Sequence, residues 1–205
     1  MDNFTTDFAA CVVSGEGTLR TRVEDARLCY SPMSSEYFDG ILSKEGRKLS
    51  ESLCGFLLLD ELLQKNQADR ASLVISRNGD GRPSVINRRN IDFSISHSEG
   101  VACCALIVGE EVRIGCDIQR VRQYSPEKMS ELAHIFMPPK ALTEFLKTGD
   151  ADLFYTVWTR REAYIKANGG DVFADLRQVN LFTEGFSTHT ISSMGDRYFY
   201  SICTG

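Results

Sequence analysis

What the chain lacks narrows its class first. No segment approaches the roughly 18 uninterrupted apolar residues of a membrane span, and the opening MDNFTTDFAACVV has no basic stretch followed by a continuous apolar run. Both absences predict a soluble cytoplasmic protein with no membrane partner. Seven cysteines, Cys11, Cys29, Cys54, Cys103, Cys104, Cys116 and Cys203, include no Cys-x-x-Cys spacing. An odd, scattered set argues against a zinc site and against a disulfide framework, so each is expected to pack as a small hydrophobe. Basic charge is not in excess either: 23 Lys and Arg stand against 28 Asp and Glu, a net charge of −5. Because phosphate contacts dominate nucleic-acid affinity, nucleic acid is not an expected partner, and any anionic ligand needs a local basic patch. Low-complexity tracts and visible internal repeats are also missing.

What is present suffices for one large core or two small ones, with 42% hydrophobic and 25% charged residues in a chain of 205. Residues 40 to 66 read as one helix: Leu53, Leu57 and Glu61 share a side, while Phe56, Leu59, Leu62 and Leu63 widen its apolar face. ASLVIS (71–76) reads as a strand entering the turn-rich NGDGRP, and IDFSISHS (91–98) as another. VACCALIV (101–108) is apolar on both faces, which predicts a strand buried from both sides. In VRIGCDIQ (112–119), Val112, Ile114, Cys116 and Ile118 face one way and Arg113, Gly115, Asp117 and Gln119 the other, which predicts a half-buried strand with one polar face. Gly115 on that face leaves room for a ligand to approach the sheet.

Ser125 and Pro126 are a good start for a helix that must stop before Pro138 and Pro139. A shorter helix follows around Ala141 to Lys147. Asp150 or Asp152 can cap the next one, FYTVWTRREAYIKANGG (154–170), which Asn168 and Gly169 close. TISSM and RYFYSIC, around Gly195 and Asp196, read as a terminal hairpin. Strands and helices mix without regular alternation, which favours an α+β fold.

Along the 154–170 helix, Trp158, Glu162 and Lys166 recur every four residues and so form one inclined row. A Glu four residues before a Lys also occurs simply as a helix-stabilising pair worth roughly 0.2 to 0.5 kcal/mol. Two other polar clusters give the row a second reading: Ser96 and His97 near a strand end, and Asp117 on a polar strand face. Two carboxylates on separate elements suit a hard cation that shares its remaining sites with waters and phosphate oxygens. A lysine one turn beyond can offset charge on a leaving phosphate. Together these predict a magnesium-dependent reaction on a pyrophosphate, with His97 donating to a phosphate oxygen.

FSISHS (93–98), GCDIQ (115–119) and WTRREAYIK (158–166) resemble, in order and approximate spacing, the three signature motifs of 4′-phosphopantetheinyl transferases. The similarity is greater to the larger, surfactin-synthetase-activator type. GRP (81–83) is similar to the Gly-Lys-Pro that precedes the first motif in that family, and the resemblance spans roughly residues 40 to 185. It implies transfer of the phosphopantetheine arm of coenzyme A to a serine of an apo acyl or peptidyl carrier protein, with Mg²⁺ as cofactor and release of 3′,5′-ADP. By position, Asp117 and Glu162 would ligate magnesium, with Gln119 beside them and Glu162 also a candidate base toward the carrier serine. Lys166 would contact the pyrophosphate. Arg82, Ser96 and His97 would hold the phosphates or adenosine of coenzyme A, and Arg47, Lys48 and Ser52 its 3′-phosphate. The implied fold is two similar α+β halves about a pseudo-twofold, 1–108 binding coenzyme A and 109–205 carrying the metal and catalytic motifs, in a monomer with the site between the halves.

The sequence departs from the family pattern at four positions. Gln119 stands where many members have Glu, Cys116 replaces a β-branched residue, Ser94 a common Asn, and Arg161 a Lys. The neutral amide of Gln119 removes a charge, so magnesium is expected to keep an extra water there and to bind more weakly. Two competing readings are a non-catalytic binder of coenzyme A or carrier domains, and a magnesium-dependent nucleotide pyrophosphate hydrolase. Carrier proteins of this kind are acidic, so the docking face is expected to be locally basic, drawing on Arg120, Arg122, Arg160 and Arg161.

Overall fold

In the computed structural model, residues 5–79, 81–109, 111–168, 180–183 and 185–205 are described. The two strongest strand patterns form a hairpin, β4 (Ile91–Ser98) and β5 (Val101–Val108), turned at Glu99 and Gly100, whose φ values of 43° and 91° are both positive. On the other edge of β5 lies β1 (Thr5–Val12), giving an antiparallel sheet of order β1-β5-β4. Sequence analysis missed β1, whose TTDFAACV has neither alternation nor a long apolar run and whose partner lies far along the chain. β5 is buried from both sides, as its composition predicts. Ala102, Cys104 and Leu106 face a helical layer, while Val101, Cys103, Ala105 and Ile107 face a second sheet.

That layer is built on α3 (Gly46–Lys65), with α1 (Glu16–Arg27) and α2 (Ser35–Leu42) beside it. Leu49, Leu53, Phe56, Leu59 and Leu63 of α3 are buried in this core. The single helix expected over 40–66 is broken: α2 stops at Leu42, Glu45 is extended and Gly46 takes φ +53°, a turn glycine allows at no steric cost. A two-stranded hairpin, β2 (Ile75–Arg77) and β3 (Pro83–Val85), flanks it, so the strand expected over 71–76 begins later and runs into Arg77.

The second sheet has order β6-β8-β7, all antiparallel, from β6 (Ile114–Arg120), β7 (Phe186–Ser193) and β8 (Asp196–Thr204). The terminal hairpin turns at Met194 and Gly195, at φ 53° and 85°, the two positive values that a tight two-residue turn requires. Ser125 accepts a hydrogen bond from the Lys128 amide and caps α4 (Pro126–Phe136), α5 (Pro139–Thr148) follows the prolines, and Asp150 accepts from the amides of Asp152 and Leu153 to cap α6 (Ala151–Asn168). Gly169, the expected closing residue of α6, lies outside the described residues. Phe136, Phe145, Phe154 and Tyr155 form the core of this part, with Trp158 packed edge-on against Phe136 at 4.9 Å.

Three expectations need correction here. β6 is buried on both faces through Ile118: the Ile114, Cys116, Ile118 face meets β5, and the other lies under α6. Gly115 makes room for the helix rather than for a ligand, since a Cβ there would sit 1.9 Å from the Ala163 carbonyl oxygen and 2.7 Å from the Ala167 nitrogen. The sulfurs of Cys11 on β1 and Cys54 on α3 are joined as a disulfide, so these two are not the free cysteines the sequence suggests. Among the described residues no helix is long and apolar enough to cross a membrane.

Candidate active site at the seam of the two sheets

β4 and β6 are edge strands that lie against each other, and the three signature stretches meet at this seam. Ser96 on β4, Asp117 on β6 and Lys166 on α6 close a triangle. Ser96 Oγ donates to Asp117 Oδ1 at 2.8 Å, and Lys166 Nζ donates to Ser96 Oγ at 2.9 Å and to Asp117 Oδ1 at 2.7 Å. Ser96 and Asp117 are only 6% and 7% exposed. Lys166 reaches them because α6 lies directly on β6 at Gly115. Burial by itself would lower the Lys166 pKa, but Asp117 beside it holds the ammonium above its ordinary value.

Glu162, one turn before Lys166, faces the same group. Burial raises its carboxyl pKa, the Asp117 carboxylate raises it further, and Lys166 and Arg161 partly offset this. Two carboxylates that repel one another in a partly desolvated site are a hard oxygen donor set. Among the described residues no three His, Cys, Asp or Glu side chains converge in one group. A cation held here would therefore rest on Asp117 and Glu162, with the part-buried Gln119 as the next oxygen on the Asp117 face of β6. The residues fit magnesium, which binds through one or two carboxylates and keeps waters or phosphate oxygens in its other places.

Ser96 and His97, taken together in the sequence, point to opposite faces of β4, as the two-residue period of a strand dictates. His97 faces α3, where its Nδ1 lies 3.1 Å from Glu51 Oε2, and Glu51 also accepts from Arg47 Nε at 2.8 Å. Burial lowers the His97 pKa; Glu51 opposes this, and Lys166, Lys44 and Arg47 add to it. His97 thus belongs to a basic group at the start of α3 and feels the Lys166 charge across the strand. In that group Lys44 donates to Ser52 Oγ at 2.6 Å. Its pKa is lowered by burial and by Arg77 and Lys48. Sequence analysis singled out Arg47, Lys48 and Ser52 but missed Lys44, Glu51 and Arg77, whose only signal was proximity to those residues or to the Gly-Arg-Pro turn.

Arg82 sits elsewhere on the seam. Its guanidinium donates to Asp92 Oδ2 at 2.7 Å and to the carbonyls of Phe93 and Ile114 at 2.8 Å each, tying the start of β4 to the start of β6. At roughly 3.3 Å per residue, Phe93 is about 10 Å along β4 from Ser96. The arginines proposed for a docking face are engaged as well. Arg120 bonds Glu99 and Asp196, Arg122 pairs with Glu99, Arg160 donates to Thr188 and the Leu181 carbonyl, and Arg161 donates to the Phe136 carbonyl.

The profile of the 4′-phosphopantetheinyl transferase superfamily matches residues 113–205. The 4′-phosphopantetheinyl transferase Sfp of Bacillus subtilis is 27% identical over a stretch covering 58% of this chain and 51% of that protein. The corresponding transferase gsp of Aneurinibacillus migulanus is 28% identical over 60% of this chain and 49% of its own. HetI of a Nostoc strain, also a 4′-phosphopantetheinyl transferase by name, is 33% identical over 43% of this chain and 37% of its own. The chain thus spans about half the length of the curated relatives it matches, or less. Asp117, Glu162 and Lys166 all lie within residues 113–205, the stretch that matches the 4′-phosphopantetheinyl transferase superfamily.

Proposed function

We propose that this protein transfers the 4′-phosphopantetheine arm of coenzyme A to a serine of an apo acyl or peptidyl carrier protein, in a magnesium-dependent reaction that releases 3′,5′-ADP. The observation that carries the reading is the Ser96–Asp117–Lys166 triangle with Glu162 beside it, built from all three motifs that resemble the family. We further read the chain as the larger, surfactin-synthetase-activator type. It would act as a cytoplasmic monomer of two related halves, 1–108 and 109–205.

Each residue has a task in this scheme. The carrier serine oxygen attacks the phosphorus that bears the pantetheine arm; a new P–O bond forms there and the bond to the bridging pyrophosphate oxygen breaks. Glu162, which faces the same group as Asp117 and Lys166, takes the serine proton. Lys166 meets the negative charge that develops on the departing phosphate of 3′,5′-ADP. Asp117 keeps Lys166 charged and aimed, and Ser96 fixes the Asp117 rotamer. Asp117 and Glu162 would hold magnesium, which when bound neutralises pyrophosphate charge. The basic group of Lys44, Arg47, Lys48 and Ser52, with His97 at its edge, would receive the 3′-phosphate. Arg82, committed to Asp92 and the strand carbonyls, serves this scheme as a brace of the seam.

Intact-mass spectrometry of a panel of apo carrier proteins, incubated with the protein, coenzyme A and magnesium, tests the proposal. A phosphopantetheine-sized mass gain that requires magnesium and is lost in a folded Glu162→Ala variant is the expected result. No gain on any carrier with coenzyme A still bound indicates a binding protein. Cleavage of coenzyme A without any carrier indicates a hydrolase.

A further inference from the structure

The polar residues of β4 have a regularity that the reaction scheme does not use. Asp92, Ser94, Ser96 and Ser98 alternate along the strand, and each connects to the residue 22 positions later on β6. The Ile114 amide donates to Asp92 Oδ2 at 2.9 Å, Cys116 Sγ donates to the Ser94 carbonyl at 3.1 Å, the Ile118 amide to Ser96 Oγ at 3.5 Å, and the Arg120 amide to Ser98 Oγ at 3.1 Å. A constant offset means that β4 and β6 run parallel in one register. Three of the four contacts pair a β4 side-chain oxygen with a backbone amide on the edge of β6 that faces away from β8. Ser94, Ser96 and Ser98 are at most 7% exposed, so these oxygens and amides have little water to turn to.

Register matters at this point more than elsewhere. Asp117 lies between Cys116 and Ile118, both anchored to β4, and a slip of one residue would turn its carboxylate from α6 toward β5. We propose that this side-chain ladder sets the relative position of the two sheets for catalysis, and that Ser98 is a positioning residue for the transfer. Ser98 stands outside the Ser96–Asp117–Lys166 triangle and acts by holding the Arg120 amide, three residues beyond Asp117. The Arg120 side chain extends the anchor by bonding Glu99 in the β4–β5 turn and Asp196 at the start of β8. This inference rests on the proposed transfer for its kinetic consequence, but the ladder itself can be tested without it.

The test compares Ser98→Ala with Ser98→Thr, which keeps the hydroxyl and suits a strand. Alanine is expected to lower kcat ten- to a hundredfold, the order that a shift of about 1 Å at a catalytic group produces, with the KM for coenzyme A within about twofold. It should also speed hydrogen exchange at the Ile118 and Arg120 amides, whereas threonine restores both rate and protection. If alanine prevents folding, Ser98→Cys keeps the volume with a weak acceptor and is expected to lose kcat without a change in KM. Full kcat in a folded Ser98→Ala protein, or equal losses in the alanine and threonine variants, would overturn the proposal. If the wild-type protein modifies no carrier, the transferase reading fails by itself, and exchange alone decides the ladder: unchanged protection of Ile118 in Ser98→Ala sinks it.

Discussion

Glu162 is where burial and charge work against the folded protein. An ordinary glutamate titrates near 4.5, and burial with the Asp117 carboxylate raises this one above that value. A carboxyl with a raised folded-state pKa contributes stability that is complete below the unfolded value and is lost as pH rises through the folded one. Near neutral pH, ionised Glu162 therefore destabilises the metal-free protein. Glu162→Gln, which abolishes the charge at nearly constant volume, should melt higher at pH 7 by a few degrees, at roughly 2 to 4 °C per kcal/mol for a chain of this size. The advantage should shrink as pH falls through the ordinary carboxylate range, and it should reverse when magnesium is added. Calorimetry at several pH values checks this; equal melting temperatures at pH 7 without metal would show that Glu162 is not strained.

The elements meet with little tolerance where the site is built. α6 lies so close to β6 that Gly115 has no room for a single methyl, and the atoms in the way are backbone, which cannot turn aside. Gly55 on α3 is the contrasting case: a Cβ there would meet Ile95 Cγ2 at 2.6 Å, and a side chain can change rotamer. Gly115→Ala should therefore cost more than the roughly 1 to 3 kcal/mol usual for overpacking, and Gly55→Ala should stay within it. Chemical denaturation of both variants decides the point, and equal losses would mean that α6 can move off the sheet. A displaced α6 would also draw Glu162 and Lys166 away from Asp117, so any folded Gly115→Ala protein should be inactive.

At the scale of the whole molecule and its partner, half of the arginines expected on a docking face have their charge compensated. Arg120 and Arg122 lie together, but Glu99 and Asp196 neutralise them, whereas Arg160 and Arg161 are tied to hydroxyl and carbonyl oxygens that leave their charge in place. Long-range attraction of an acidic partner needs uncompensated charge, and added salt weakens it. kcat/KM for carrier modification should therefore fall less than about threefold between 0.05 and 0.5 M salt, since steering by charge is what such salt screens. A steep fall in stopped-flow or initial-rate measurements would show that these arginines leave their partners when the carrier docks.

Sequence alone determined what depends on local pattern. The bounds of β4 and β5, the Ser125 and Asp150 caps, the stop before Pro138 and the hairpin turn at Gly195 follow from side-chain period, capping oxygens and backbone restrictions that act within a few residues. The three motifs also marked Ser96, Asp117, Glu162 and Lys166 as candidates, because their spacing survives in the linear chain. Only the tertiary structure decided which of them meet. It divided Ser96 from His97 across β4, assigned Gly115 to helix packing, and committed Arg82 to Asp92 and the strand carbonyls. It also paired β1 with β5 and revealed Lys44, Glu51 and the β4–β6 ladder. Those outcomes depend on contacts between residues distant in sequence, whose energies come from burial and from satisfying particular donors and acceptors, and no local pattern records which partner a buried polar group will find.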